Sequence, residues 1–225
     1  MPPLQLAPGE PEAGPWRAES LTKVIEILTR PPVRVSSDPF VLAIDGRSSS
    51  GKTTLAARIQ RAVPGSAVVH TDDIAWYHSR FGWADQLIDG VLVPARDGRA
   101  VNFQPPRWAE HGRTGSINVP SHCPLLIIEG VGAGRREATR FADALIWVQS
   151  DQRETARRNQ ARVGQPGGPA SVDALRAWMA EEDPFLAYQQ PWERADLITA
   201  GTLPASFHPS AGLVVAPGPA ATRLA

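Results

Sequence analysis

The sequence has one cysteine, two lysines, no net charge and no long apolar run, and each shortage closes off a class of function. Cys123 stands alone, so neither an intramolecular disulfide nor a zinc site built on several thiolates can form, and the chain suits a reducing compartment. Basic and acidic residues balance at 23 each, which leaves no global field to draw the protein to nucleic acid or to an anionic membrane. Any polyanion must be held by local charge, and that points to a small ligand. No uncharged apolar stretch nears the length of a membrane span, and the Met-Pro-Pro start carries no basic and apolar leader, so the expected location is cytoplasmic. Lys23 and Lys52 are the only lysines. Where charge alone suffices this chain uses arginine, so each retained lysine calls for a reason.

What is present is an α/β pattern. With 225 residues and 42% hydrophobic content, a single domain with a sizeable core is expected. Residues 1–17 hold five of the 22 prolines and no apolar period, and read as a flexible tail. Leu21, Val24, Ile25 and Leu28 fall at helical spacing, with Ser20 placed to cap the start and Pro31-Pro32 to stop the end. Four apolar runs, Phe40 to Ile44, Ala67 to His70, Leu125 to Ile128 and Ala144 to Val148, and a weaker fifth, Asp196 to Thr199, read as a five-stranded parallel sheet. Helical stretches at Thr53 to Val63 and Gln152 to Val163 alternate with them. The expectation is a three-layer α/β/α domain over residues 18–215, with a C-terminal tail at 216–225. A Gly-, Pro- and Arg-rich insertion at 81–121 is expected over the substrate end of the sheet, and a lid region at 157–172.

The stretch Gly46-Arg47-Ser48-Ser49-Ser50-Gly51-Lys52-Thr53 satisfies the P-loop pattern, with a predicted strand before it and a predicted helix after it. Such glycines let backbone N–H groups turn toward phosphate oxygens, and the helix that follows aims its positive dipole end at the same place. Residues Gly46 to Thr54 are therefore the candidate nucleotide-binding segment, with Lys52 on the outer phosphates and Thr53 on Mg2+. Glu129 ends the run Leu125-Leu126-Ile127-Ile128 and is the second candidate magnesium ligand. Thr71-Asp72-Asp73 follows another strand, where Asp72 can take the proton of an attacking hydroxyl and Asp73 reads mainly as a helix cap. Arg153, Arg157, Arg158 and Arg162 share one predicted helix, and Arg158 and Arg162 suit closure over a transferring phosphoryl group. Trp76 and Tyr77 after Asp72-Asp73, and Arg107, Trp108, His111 and Arg113 in the insertion, are candidates to hold the acceptor. Asp45 and Arg47 add little by themselves, and Trp147, Trp178 and Trp192 read as packing.

These motifs together resemble the uridine kinase-like branch of P-loop kinases, a group that includes nicotinamide riboside kinases, phosphoribulokinases and pantothenate kinases. The resemblance runs from about Val41 to Gly201 and rests on Asp-Gly-Arg-Ser-Ser-Ser-Gly-Lys-Thr-Thr at 45–54, Thr-Asp-Asp at 71–73, Ile-Ile-Glu-Gly at 127–130 and the arginines of 157–162. Glu181 to Gly201, with Pro191-Trp192-Glu193-Arg194-Ala195-Asp196, resembles uncharacterised actinobacterial members. The resemblance implies a kinase using ATP or another nucleoside triphosphate with Mg2+, and a small-molecule hydroxyl as acceptor. It gives Asp72 the role of catalytic base, Thr53 and Glu129 that of attending magnesium, and Arg158 and Arg162 a place in the lid. A regulatory ATPase without phosphotransfer and a nucleoside monophosphate kinase are the alternatives. The family's Tyr-Asp-Phe-x-x-His-x-Arg stretch is matched here by Trp108, His111 and Arg113, while Pro106 and Arg107 stand for Tyr and Asp. That departure argues against uridine or cytidine as the acceptor.

Overall fold

The computed structural model describes residues 4–29, 38–203, 207 and 212–221. The first half of the chain forms β1 (Arg17–Glu19), α1 (Leu21–Leu28), β2 (Phe40–Gly46), α2 (Lys52–Ala62), β3 (Ala67–His70), α3 (Thr71–Ala75), α4 (Ala84–Leu87) and α5 (Val93–Arg96). The second half forms β4 (Val101–Phe103), α6 (Pro106–Glu110), β5 (Ile117–Val119), β6 (Leu125–Glu129), β7 (Ala144–Gln149), α7 (Gln152–Ala161), α8 (Val172–Gln189), β8 (Leu197–Ala200) and β9 (Leu213–Pro217). The fold is α/β, a mostly parallel seven-stranded sheet flanked by helices, in the order β1-β9-β8-β7-β2-β6-β3; β4 and β5 form a separate ribbon.

Period-two side-chain placement divides the central strands between two cores. Val41 and Ala43 of β2, Leu126 and Ile128 of β6, and Leu145 and Trp147 of β7 face one core. Their neighbours Leu42, Ile44, Leu125, Ile127, Ala144, Ile146 and Val148 face the other. Because both faces are covered, these strands read in the sequence as unbroken apolar runs. The second core is closed by Val24 and Leu28 of α1 and by Leu55, Ala56 and Ile59 of α2. Ser20 caps α1 as expected, its Oγ accepting from the Lys23 N–H at 3.1 Å; Pro31-Pro32 lie outside the described residues.

The five expected strands are all parallel, and the sheet is two strands wider than expected. β9 pairs antiparallel with β8, and β1 antiparallel with β9. Described residues of both stretches expected as tails are held on the body. Ala216, at the start of the expected C-terminal tail, is buried within β9. In the N-terminal stretch Ala7 and Glu10 are buried. The Glu10 carboxylate accepts from Trp147 Nε1 at 2.6 Å and Gln149 Nε2 at 2.9 Å, and the Ala13 N–H donates to Gln149 Oε1 at 2.9 Å. A buried carboxylate needs such partners, and they fix the proline-rich segment to β7. The 81–121 stretch also departs from an overhanging insertion: Trp83, Leu87, Val91, Leu92 and Trp108 are buried in the first core.

Asp45 is fully buried at the end of β2 and accepts three backbone N–H bonds, from Gly46 at 2.7 Å and from Gly132 and Gly134 at 2.9 Å. Burial pushes its carboxyl above the usual range, while those three amides and Lys52 favour the charged form. One side chain thereby ties the start of the phosphate-loop segment to the loop that leaves β6. Asp45→Ala, which strands three buried donors, is expected to lower unfolding free energy by about 3–5 kcal/mol. Urea titration of the variant against the parent protein measures it, as a fall in midpoint at unchanged slope.

Candidate active site

The parallel strands end in register. Ile44 of β2 and His70 of β3 both pair with Glu129 of β6, and Gly46 pairs with Val148 of β7. Functional side chains from three strands therefore emerge at one edge, the carboxyl edge where open α/β sheets hold ligands. From Gly46 the chain turns through Arg47–Ser50 into α2, whose N-cap is Gly51 at φ 104°, a left-handed conformation that strains any residue with a Cβ. Ser49 also takes a left-handed φ of 59°. Its Oγ donates to Asn159 Oδ1 at 2.7 Å and accepts from the Arg162 guanidinium at 3.2 Å. Lys52 is buried, its Nζ donating to the Arg47 carbonyl at 2.8 Å.

Beside this loop, Glu129 is held at both oxygens. The Thr53 hydroxyl donates to Oε1 at 3.0 Å, and His70 Nδ1 lies 2.6 Å from Oε2. Burial pushes the Glu129 carboxyl up, but the bond to His70, the Lys52 charge and the Thr53 hydroxyl outweigh it and hold it below the usual value. The same bond to Glu129 raises the His70 imidazole against its desolvation. Among the described residues no group of three or more His, Cys, Asp or Glu side chains is arranged to hold a metal. A hydroxyl and a carboxylate 3.0 Å apart at a helix start nevertheless fit magnesium, which keeps waters and takes further oxygens from a bound phosphate.

A cavity of about 570 Å³ opens over the loop, lined by Ser48, Ser49, Gly51, Lys52, Thr53 and Thr54, by Asp72 and Glu129, and by Arg157, Arg158 and Arg162. Gly46, Arg47 and Ser50 are not in its wall: Arg47 is buried and pairs with Asp183 of α8. The arginines of α7 close the far side. Arg158 donates to the Ser49 carbonyl at 3.3 Å and the Gly201 carbonyl at 3.2 Å, and with Arg157 it pairs with Glu154, whose carboxyl these two guanidiniums hold at about 2. A second cavity of about 330 Å³ adjoins the first, and Ser48, Asp72, Arg162 and Trp178 line both. Asp72 opens onto both and makes no hydrogen bond among the described residues. Asp72 is solvent-exposed, yet the protein around it still desolvates the carboxyl and raises it, with Lys52 opposing and the Glu129 charge adding to the rise.

No protein-family model matches the chain, and no curated protein matches it. Among solved structures the chain is similar to a possible uridine kinase from Bacillus stearothermophilus, at 20% identity and a TM-score of 0.49, over 78% of this chain and 98% of that one. It is also similar to a proposed fructose transport system kinase from Silicibacter sp. TM1040, at 16% identity and a TM-score of 0.48, over 64% of this chain and 81% of that one. Likeness at this distance carries nothing about chemistry, which rests on the side chains.

Of the six residues expected around the acceptor, only Trp76 lines the second cavity. Arg107 pairs with Glu110 on the exposed side of α6. Trp108 is buried and donates from Nε1 to the Asp73 carbonyl at 2.8 Å, and Arg113 lies 3.5 Å over the Trp108 ring and pairs with Asp73 at 2.5 Å. Tyr77 is exposed and stacks on His111 at 4.1 Å. These groups satisfy one another and brace α3 from outside, so Asp73 serves as an ion-pair partner in that brace and not as a cap. In their place the wall uses Ala75, Arg80, Leu175 and Trp178; Trp178 is thus more than packing. Two further acids belong to the site's frame: Glu182, buried on α8, accepts the Ser48 N–H at 2.6 Å, and Asp183 holds Arg47.

Gly130, next to Glu129, sits where a Cβ would lie 1.8 Å from Thr71 Oγ1 and 2.9 Å from Thr71 Cβ. Gly130→Ala must push β6 and α3 apart, displacing Asp72 from the cavity edge. A loss of about 1–3 kcal/mol in stability is expected. Thermal unfolding of the variant checks it, an unchanged midpoint counting against the close approach.

Proposed function

We propose that the chain is a phosphotransferase that moves the γ-phosphoryl group of ATP, with magnesium, to a hydroxyl of a small molecule. The observation that carries this is the position of Asp72, a carboxylate without a hydrogen-bond partner among the described residues, at the junction of the phosphate-loop cavity and the second cavity. A phosphate-holding loop alone serves many functions; a free base between that loop and a separate chamber suits transfer to an alcohol.

In this mechanism the amides of the first turn of α2 and the Lys52 ammonium hold the outer phosphates, since the first N–H groups of a helix have no partner within it. Thr53 and Glu129 would hold a magnesium ion, which would supply positive charge to offset that of the phosphates. Asp72 accepts the proton of the acceptor hydroxyl as its oxygen bonds to the γ-phosphorus and the bond to the β,γ-bridging oxygen breaks, leaving ADP and a phosphomonoester. Arg158 and Arg162 offset charge on the transferring group from the lid side. The nucleoside is assigned to a third cavity of about 250 Å³ on the other side of the α2 start, lined by Gly51, Thr54, Arg58, Gly201, Leu203 and Leu213 among others. The chain has no helix long and apolar enough to cross a membrane among the described residues, and the acceptor is taken to be a free small molecule, not nucleic acid or lipid.

Asp72→Asn is expected to lower kcat by about 10²–10⁴ with ATP binding retained, whereas Lys52→Ala loses both. Steady-state kinetics and isothermal titration with ATP separate the two, and near-normal turnover by Asp72→Asn removes the base assignment. The pH dependence follows from the raised Asp72 carboxyl. The base works only ionised, so kcat/KM falls as pH drops through a value above the ordinary Asp range near about 4. A profile flat down to pH of about 4 contradicts it.

A further inference from the structure

The second cavity differs in chemistry from the first. Its wall carries Ala75, Trp76, Ala174, Leu175 and Trp178 from α3, the residue that follows it, and α8, with Pro169 between. Several of its polar groups are engaged within the protein, while the Ser48 hydroxyl and the indole N–H groups of Trp76 and Trp178 have no hydrogen bond among the described residues. Asn159 Oδ1 accepts from Ser49, Arg162 donates to Ser49 Oγ and to the Gly167 carbonyl, Arg80 pairs with Glu181, and the Ser48 N–H is taken by Glu182. Sugars and ribonucleosides bring several hydroxyls that each need a partner once buried, at a cost of about 1–3 kcal/mol for each left unpaired. A single hydroxyl on an aromatic body needs one partner, and Asp72 is that partner. Indole rings also reward a flat apolar ligand beyond the area it buries.

Resting on the phosphotransfer reading, we propose that the acceptor is a small aromatic alcohol, its ring against Trp76 and Trp178 and its one hydroxyl at Asp72, in place of a polyhydroxylated sugar or ribonucleoside. A cavity of about 330 Å³ is large enough for one or two fused rings with a short hydroxyalkyl arm. Trp178 is then the specificity-determining residue, because it lies in the wall of both cavities and aligns the acceptor with the phosphate-loop side.

The test is a panel with purified full-length protein, ATP and Mg2+: 2-phenylethanol and tryptophol as aromatic alcohols, and uridine, ribose and glycerol as polar ones. Phosphomonoester formation is read by mass spectrometry and ADP release by a coupled assay; binding is read separately by quenching of tryptophan fluorescence. The expected result is kcat/KM at least about tenfold higher for an aromatic alcohol than for any polar one. Trp178→Ala should raise the aromatic alcohol's KM about tenfold while the KM for ATP moves little. Tyr188→Ala, at an exposed position on the same helix, should leave both unchanged. If a polar acceptor is preferred, the proposal falls and phosphotransfer stands. If the aromatic alcohols bind, with Trp178→Ala abolishing binding, yet no acceptor is phosphorylated, phosphotransfer falls and the occupant of the cavity stands. Absence of both binding and turnover with the aromatic alcohols overturns the proposal whether or not Trp178→Ala folds, since it is read on the parent protein.

Discussion

The Asp45 carboxylate is the constraint on which the rest of the site is built. A parallel sheet aligns the ends of its strands but does not by itself fix the loops that leave them. Here one buried side chain at the end of β2 takes the N–H groups of Gly46, Gly132 and Gly134. The phosphate loop and the segment after Glu129 thus share one anchor. Glu129 is in turn held by Thr53 from α2 and His70 from β3, so three strand ends are fixed to one another by carboxylates that have lost most of their contact with water. In a low-dielectric edge such bonds are stronger than at the surface, and an unmade one is costly.

A division of labour follows from the flanking layers. The α2 side supplies amides and the lysine, while α3 and α8 supply the base and the wall of the second cavity. The aromatic groups at Tyr77, Trp108 and His111, with Arg113, form a brace outside α3, and of the aromatics there only Trp76 also enters the cavity wall. Function in this region is therefore carried by few residues, each positioned by neighbours that never touch the ligand.

Much of this was legible in the sequence wherever the cause was local. Of the five parallel strands, β2, β6 and β7 announce themselves because burial on both faces makes each a continuous apolar run, β3 is a shorter apolar run at the sheet edge, and Gly46 to Thr53 names its own geometry through glycine, lysine and threonine spacing. Asp72 and Glu129 follow from strand ends. What stayed hidden depends on partners distant in sequence. The role of Asp45 lies in amides 87 and 89 positions away, which no local pattern records. The two added strands are short and non-parallel: β1 forms the sheet edge and β9 lies between it and β8. The acceptor residues were sought in Trp108-x-x-His111-x-Arg113, yet those side chains have Asp73 and each other as partners. The helix α8 gave no clear period because Pro184 interrupts it and charged Glu181, Glu182 and Asp183 stand at its middle; Ser171, whose Oγ accepts the Ala174 N–H at 3.1 Å, was its one readable signal.

That helix joins two parts of the site through a single turn. Trp178, in the wall of both cavities, and Glu182, on the Ser48 amide, are four residues apart, about one turn or 5–6 Å along the axis. Any sliding or rotation of α8 moves the chamber wall and the phosphate loop's carboxylate support together. Volume and loop geometry are for this protein one mechanical variable, so remodelling the chamber for a bulkier occupant by shifting the helix also disturbs the grip on phosphate, whereas exchanging side chains on an unmoved backbone does not.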